Sequence, residues 1–542
     1  MIWHCPASNF FITQQGGSVI CRPVIFYFLG ILIGNPLEFQ VEIYWILGYN
    51  TNIDKFFAKE VCHMEQRKRP QRRSRRKVSP LQQFIYRYFP SICLVGLSIL
   101  CVGMVIFTVK TISSIAQGPS ENAGQLASPS DNTEPSDTAD QEAIHAFLAR
   151  AANLAAGYDY LGAIDLLKTY PNYETVTAIT DQIDAYTQLD QQLVPYSDLD
   201  NITHIFFHSL IVDPSRAFDN DADQDGYNLY MVTVTEFKAI LQQMYDRGYV
   251  LVSPYDIAYE NENGKFVYGN IRLPEGKKPF LMSQDDVNYY SYMIGTGSGV
   301  NETPIFADKK GDGFASRIVI GEDGFPTCEY MDANGNVTTG DYDIVPILER
   351  FIQEHPDFSY HGARAILGVT GYEGVFGYRT KPSYEAALGT EAYQKEVETA
   401  KAVAQCLKEH GWILASHSYG HPAYGNLPAD RVAVDSDKWE STCEYIVGET
   451  DILLYPHGSD ISGVKQYTMD NAKFAALYED GYRYFFNVDS RIAWTQVGSN
   501  YFRGSRRNVD GYRMYHNPDK LSDLFDVATV FDPARPTPVP TI

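Results

Sequence analysis

The sequence predicts an α/β domain on a parallel sheet, open or closed into a barrel, over residues 200–530. Three observations predict it. Strand-like apolar runs recur at His204–Leu210, Tyr249–Val252, Phe280–Ser283, Ala363–Val369, Trp412–Ala415, Ile452–Tyr455 and Tyr484–Val488. Helical patterns lie between several of them: Phe237, Ile240, Leu241 and Met244 make one apolar face ending at Gly248, and Val397, Ala400, Ala404 and Leu407 another ending at Gly411. Such alternation is the signature of parallel strands joined by crossover helices. Finally, His208, Asp285–Asp286, His417, His457 and Asp489 fall at the C-terminal ends of the strands, the end that carries the chemistry in βα barrels.

In chain order, residues 1–63 hold apolar runs (Val24–Ile33, Ile43–Leu47) too short to span a bilayer and no signal-peptide pattern. They read as a doubtful extension, with Met64 as the alternative start. Residues 64–90 form a basic segment with its cluster at Arg67–Lys77. Ser91–Val109 has no charged residue and, at about 1.5 Å per residue, makes a helix of roughly 28 Å, enough to cross the hydrocarbon core. The positive-inside rule then expects a single-pass anchor in the cell membrane, N-terminus cytoplasmic and the remainder extracellular. Residues 110–141, rich in Ser, Pro, Asn, Asp and Thr, read as a disordered linker.

Residues 142–192 turn helical. Ile144, Phe147, Leu148 and Ala151 recur at 3–4 spacing, then Leu161, Ile164 and Leu167, then Val176, Ile179, Ile183 and Tyr186. The unit is faintly similar to one tetratricopeptide repeat; one repeat cannot bury its own face, so it is expected to pack on something, as a spacer or through a protein contact. Residues 294–341 break the alternation with Gly, Asn and Asp turns around β-prone runs such as Arg317–Ile320, predicting inserted hairpins at the rim of the site. Asp221-x-Asp223-x-Asp225-Gly226 imitates a calcium loop, but Val232 stands where the bidentate Glu is required, so a solvated acidic loop is expected.

The first 110 residues carry 13 Lys+Arg and 5 Asp+Glu, leaving 31 and 62 of the totals of 44 and 67 for the rest. So acidic a surface repels phosphate backbones, and no nucleic-acid partner is expected. Cys328, Cys406 and Cys443 are the cysteines of the main domain. Their scatter shows neither a disulfide framework nor zinc spacing, which leaves them as small core residues.

Two stretches carry chemistry. Trp412–His421, WILASHSYGH, runs from a buried strand into two histidines four apart; a helical turn there would put both imidazoles on one face. Lys277–Asp286, KKPFLMSQDD, is an apolar strand ending in adjacent carboxylates. Two imidazoles and one carboxylate suit zinc or a similar divalent metal, with a position left for water. The second carboxylate is then free to act as a base. Adjacent residues on a strand point opposite ways, but at its frayed end both can face the pocket.

These residues resemble the polysaccharide deacetylases with a NodB-homology domain (carbohydrate esterase family four). Ser283-Gln284-Asp285-Asp286-Val287 is similar to the family's Thr-Phe-Asp-Asp-Gly, and His417-Ser418-Tyr419-Gly420-His421 to its His-Ser/Thr-x-x-His. The resemblance covers roughly residues 200–520 and implies a distorted (β/α) barrel of about seven parallel strands. It further implies Asp286, His417 and His421 as metal ligands and Asp285 as general base. Tyr455-Pro456-His457-Gly458 stands for the groove motif, with Tyr455 lining the groove and the His457 N–H facing the oxyanion. Met514-Tyr515-His516 is the loose counterpart of Leu-x-His, making His516 the acid. Asp489 and Asp510 both qualify to orient it. Arg503, Arg506 and Arg507 would balance these carboxylates or decorate a loop, with Arg507 the one placed at the site. His208 matches a Tyr-His opening and reads as a structural neighbour of the site.

The function these implications point to is a metal-dependent, membrane-anchored hydrolase. It would remove N-acetyl groups from cell-envelope (cell-wall) polysaccharide or peptidoglycan, of GlcNAc or MurNAc type. Two other readings stay open: a catalytically impaired glycan-binding relative, and a deacylase or amidase for another acyl substrate.

Overall fold

The computed structural model describes residues 136–294, 311–489 and 493–542, together with two short strands at Gln14–Gln15 and Ser18–Val19. Apart from those two strands, the extension, the basic segment, the Ser91–Val109 span and most of the linker lie outside the described residues. Among the described residues no helix is long and apolar enough to cross a membrane. Asp131–Ile542 forms one unit.

That unit opens with helices α1 (Ser136–Ala156), α2 (Tyr160–Lys168) and α3 (Thr177–Gln192). Helix α1 begins inside the stretch expected to be linker, because Ser136, Asp137, Asp140 and Glu142 are acidic or capping types that the N-terminal end of a helix favours. Ala151, Ala163, Ile164, Leu167, Ile179 and Tyr186 form its small core. Leu161, expected on that apolar face, is exposed. The unit packs on the rest of its own chain: the Tyr158 hydroxyl donates to Asp357 O at 2.8 Å, His361 N to Gly157 O at 2.8 Å, and Arg272 Nη1 pairs with Asp190 Oδ1 at 2.8 Å.

The main body holds strands β1 (Thr203–Phe207), β2 (Tyr249–Leu251), β3 (Lys278–Gln284), β4 (Ala315–Ile320), β5 (Pro326–Met331), β6 (Val337–Gly340), β7 (Ile366–Val369), β8 (Ile413–Ser416), β9 (Ile452–Leu454), β10 (Tyr484–Val488), β11 (Thr495–Val497) and β12 (Phe502–Asn508). Parallel pairing runs β7–β8–β9–β10–β12–β1–β3, and β3 pairs with β7 to close a seven-stranded barrel. Strand β2 lies against β3 outside the ring, and β11 runs antiparallel to β12. Six of the seven apolar runs are therefore barrel strands. The seventh barrel strand is β12, FRGSRRN, whose three arginines hid it from a hydropathy reading.

Alternation decides what faces inward. Leu281, Ile366, Ala415, Leu454, Phe486 and Phe502 fill the barrel, while Ile205, Phe207, Phe280 and Leu367 face the outer helices. Helix α4 (Val234–Asp246) buries Phe237, Ile240, Leu241 and Met244 and starts in a capping box between Thr233 and Glu236. Helix α5 (Ile344–Glu354) follows the insert, and α6 (Thr390–Glu409) ends two residues before Gly411, which is left-handed at φ 89° as a C-terminal glycine must be. Cys328, Cys406 and Cys443 are free and buried.

The insert β4–β5–β6 is an antiparallel sheet of three strands. It packs on the loop after β7, where Ile318 N donates to Phe376 O at 3.0 Å, and on α6 through Arg317 and Glu396. None of its described residues lines the site cavity.

Candidate active site

At the C-terminal end of the barrel Asp285, His417, His421 and His457 line a cavity of about 600 Å³. Asp285 continues the inward parity of Leu281 and Ser283. Asp286 would then point outward, but its φ of 57° breaks the strand and swings its carboxylate back to the same end. Strain of this kind gathers at functional sites when the surroundings hold it. Here Val287 N donates to Gly368 O at 3.0 Å, Asn288 Nδ2 to Thr370 O at 2.8 Å, and Gln284 Nε2 and the Tyr289 hydroxyl both donate to buried Asp343, at 2.8 and 2.6 Å.

The two histidines are not on a helix. After β8 the chain forms an irregular turn with Ser418 at φ 65° and His421 at φ 55°, because Ser416 Oγ, Ser418 Oγ and the Asp435 carboxylate draw the backbone N–H groups of Ser418, His421, Tyr419 and Gly420 away from helical partners. The imidazoles still converge, with Nε2 atoms 3.2 Å apart. His417 Nδ1 lies 2.9 Å from Leu454 O; a carbonyl only accepts, so Nδ1 carries the hydrogen and Nε2 keeps its lone pair. Burial pulls the His417 pKa down to about 4, which keeps the ring neutral. Asp286 Oδ2 lies 3.8 Å from His421 Nε2, and one ligand atom each from Asp286, His417 and His421 fit within 4.8 Å of one another. Two converging lone pairs beside a carboxylate are unfavourable unless a cation or a proton sits among them, so the donor set fits a divalent metal.

Asp285 is buried and pairs with equally buried Arg506, Nη1 to Oδ1, at 2.5 Å. Burial alone would raise its pKa; the guanidinium and His417 outweigh it and hold the carboxyl well below the usual range. Arg506 reaches the site because it shares the inward parity of Phe502 and Gly504. Arg507 and Arg503 take the opposite parity. Arg507 therefore leaves the site, binding Asp523 at 2.7 Å and the Thr203 hydroxyl, and Arg503 turns to Asp460. The same alternation removes Tyr455: it is outward on β9, buried against Phe485 with its hydroxyl 3.0 Å from Tyr467, while only His457 and Gly458 of that motif line the cavity. His457 has φ 55°, and its ring packs on His421 at 4.4 Å.

His516 is not brought to the site. It lies at the C-terminal end of α7 (Gly511–His516), and its Nε2 is taken by the carbonyls of Val539 and Pro540 at 3.0 and 3.1 Å. Asp489 accepts from Trp494 Nε1 at 2.6 Å and does not line the cavity. Asp510 does line it, buried, capping α7 through Arg513 N and accepting from Asn508 Nδ2. His208, expected to be structural, lines the cavity as well. Sequence reasoning missed His204, buried with Nε2 2.9 Å from Ser283 Oγ beneath the Arg506 pair. It also missed Tyr290, whose hydroxyl donates to Asp286 at 2.6 Å. Inward parity on β1 would have flagged the first; nothing local marks the second.

From Tyr290 a row of rings leads outward. Tyr292 stacks on it at 5.9 Å and 12°, Tyr227 stacks on Tyr292 at 6.4 Å and 4°, and Tyr372 meets Tyr290 edge-on at 5.9 Å. Tyr292 and Tyr372 are 42% and 56% exposed, unusual for aromatic side chains next to a buried site.

No family model matches the chain, and no curated protein does. Among solved structures it is similar to a Streptococcus pyogenes deacetylase, PplD, in complex with acetate, at 15% identity and a TM-score of 0.31, over 61% of this chain and 99% of that one. A likeness so distant carries no argument about activity. The chain closes a barrel of seven parallel strands and gathers Asp285–Asp286 and His417–His421 at its C-terminal end, the arrangement that the sequence resemblance implied.

Proposed function

We propose that the chain is a metal-dependent deacetylase that hydrolyses N-acetyl groups on cell-envelope polysaccharide carrying GlcNAc- or MurNAc-type sugars. The observation that carries this reading is the division of labour between adjacent carboxylates: Asp286 stands with His417 and His421, and Asp285 stands beside them paired to Arg506. A bound zinc ion would lower the pKa of a water towards ~7 and polarise the acyl oxygen. Asp285, kept ionised by Arg506, accepts the proton of the attacking water. The His457 N–H is the donor for the developing oxyanion.

The test is acetate release by the zinc-reconstituted protein from N-acetylated GlcNAc oligosaccharides and from peptidoglycan, with O-acetyl esters and other acyl amides beside them. Turnover on the latter alone would replace the substrate, not the chemistry. The displacement of His516 from the cavity is the observation that favours the glycan-binding alternative; a metal-loaded protein that binds glycan and releases no acetate would establish that alternative instead.

Tyr292 and Tyr372 suit a sugar chain, since the C–H faces of pyranose rings pack on exposed aromatic faces. Tyr292→Ala with Tyr372→Ala should raise KM for an N-acetylated oligosaccharide about tenfold, ~1.4 kcal/mol, with kcat and metal content retained. An unchanged KM would remove the tyrosines from substrate binding.

The anchor belongs to the same proposal. With Ser91–Val109 spanning and Arg67–Lys77 cytoplasmic, protease added to intact cells should release the catalytic domain; protection until lysis would reverse the topology.

A further inference from the structure

With His516 bound elsewhere, the cavity still needs a group to protonate the leaving amine. Amide hydrolysis cannot dispense with one, because an amide anion is too basic to leave. Two imidazoles besides the metal ligands line the cavity: His457 and His208. His457 packs directly on the ligand His421, and its oxyanion role uses the backbone. His208 follows β1, is half-buried, and stands among Phe206, Tyr230, Asp510 and Tyr512 on the cavity wall. Its Nδ1 lies 3.2 Å from Tyr230 O. The carbonyl can only accept, so Nδ1 carries a fixed hydrogen and Nε2 is the nitrogen that gains and loses a proton.

We propose that His208 is the general acid of this site, in the place that His516 does not fill. The inference rests on the deacetylase reading. As the water oxygen bonds to the acyl carbon, Asp285 takes one of its protons. The C–N bond then breaks, the nitrogen takes the proton from His208 Nε2 together with the bonding pair, and acetic acid and the free amine leave. Asp285 returns its proton to His208 through solvent, which restores both groups. The charged and titratable groups facing His208 are Asp285, Asp286, His457 and, on α7, Asp510, with His417, His421, Tyr230, Tyr512 and Arg513 on the same wall. Buried Asp510 is itself held by α7, so its position does not depend on substrate.

The test compares the wild-type protein with His208→Gln and His516→Ala on an N-acetylated GlcNAc oligosaccharide, following kcat against pH and metal content. His208→Gln should lower kcat about 10²-fold, the low end for general-acid loss, and should abolish the alkaline limb of the profile at unchanged metal content. Added imidazole should restore part of the rate. His516→Ala should retain kcat and the limb. A His208→Gln protein with wild-type kcat, or one slowed with its alkaline limb intact, would overturn the inference while leaving the deacetylase standing. A wild type that releases no acetate would remove the deacetylase reading, and this inference with it.

Discussion

Asp285→Asn should lower acetate release about 10²–10⁴-fold, with metal content unchanged. The asparagine keeps the shape of the carboxylate and an oxygen for Arg506, so the cavity wall stays filled. It cannot take a proton from water. Because Arg506 holds Asp285 ionised by a 2.5 Å contact inside the barrel, the wild-type base is ready throughout the neutral range, and its loss is a loss of chemistry rather than of protonation. The substitution leaves the buried Arg506 cation without its counter-charge; removing one partner of a buried pair costs ~3–5 kcal/mol when nothing replaces it. Thermal unfolding should therefore accompany the assay, and a folded, metal-loaded Asp285→Asn protein with full activity would end the base assignment.

His417→Ala combined with His421→Ala should take bound zinc from one equivalent per chain to none by elemental analysis after reconstitution, and acetate release to background. Both ligands present Nε2, and their nitrogens lie 3.2 Å apart. A single remaining carboxylate, Asp286, offers one oxygen and no chelate, too little to retain a divalent ion against water. His417 is the more damaging of the two to the fold, since its ring is buried and bonded to Leu454 O. His421 is half-exposed, so His421→Ala alone separates loss of metal from loss of structure. Unchanged metal binding in the double variant would move the metal elsewhere.

Much of the barrel could be read along the chain. Six of its strands are apolar runs of four to seven residues, and burial on both faces is what makes such runs continuous. The glycines after α4 and α6 and the Thr233–Glu236 capping box are local chemistry and needed no tertiary context. The pairs Asp285–Asp286 and His417–His421 were legible as well, since ligand type and short spacing both lie within one segment. Strand β12 was not, because its inward arginine serves an ion pair with a residue 221 positions away. A hydropathy pattern treats that position as surface.

By itself the sequence determined the candidate metal-ligating residue types, the alternation of strand and helix, and the acidic character that argues against a nucleic-acid partner. Only the tertiary structure decided which side chains meet. Parity within closed strands turned Arg506 inward and Arg507 outward and put Tyr455 into a separate core; the positive φ of Asp286 cancelled the parity that would have sent it away. The C-terminal carbonyls took His516 out of reach, and closure of β12 against β1 brought His208 and Asp510 to the cavity wall instead. Candidate ligands four residues apart are tied by the local chain, whereas the proposed acid, the proposed base and the cation that pairs with the base come from strands whose neighbourhood exists only once the ring is closed.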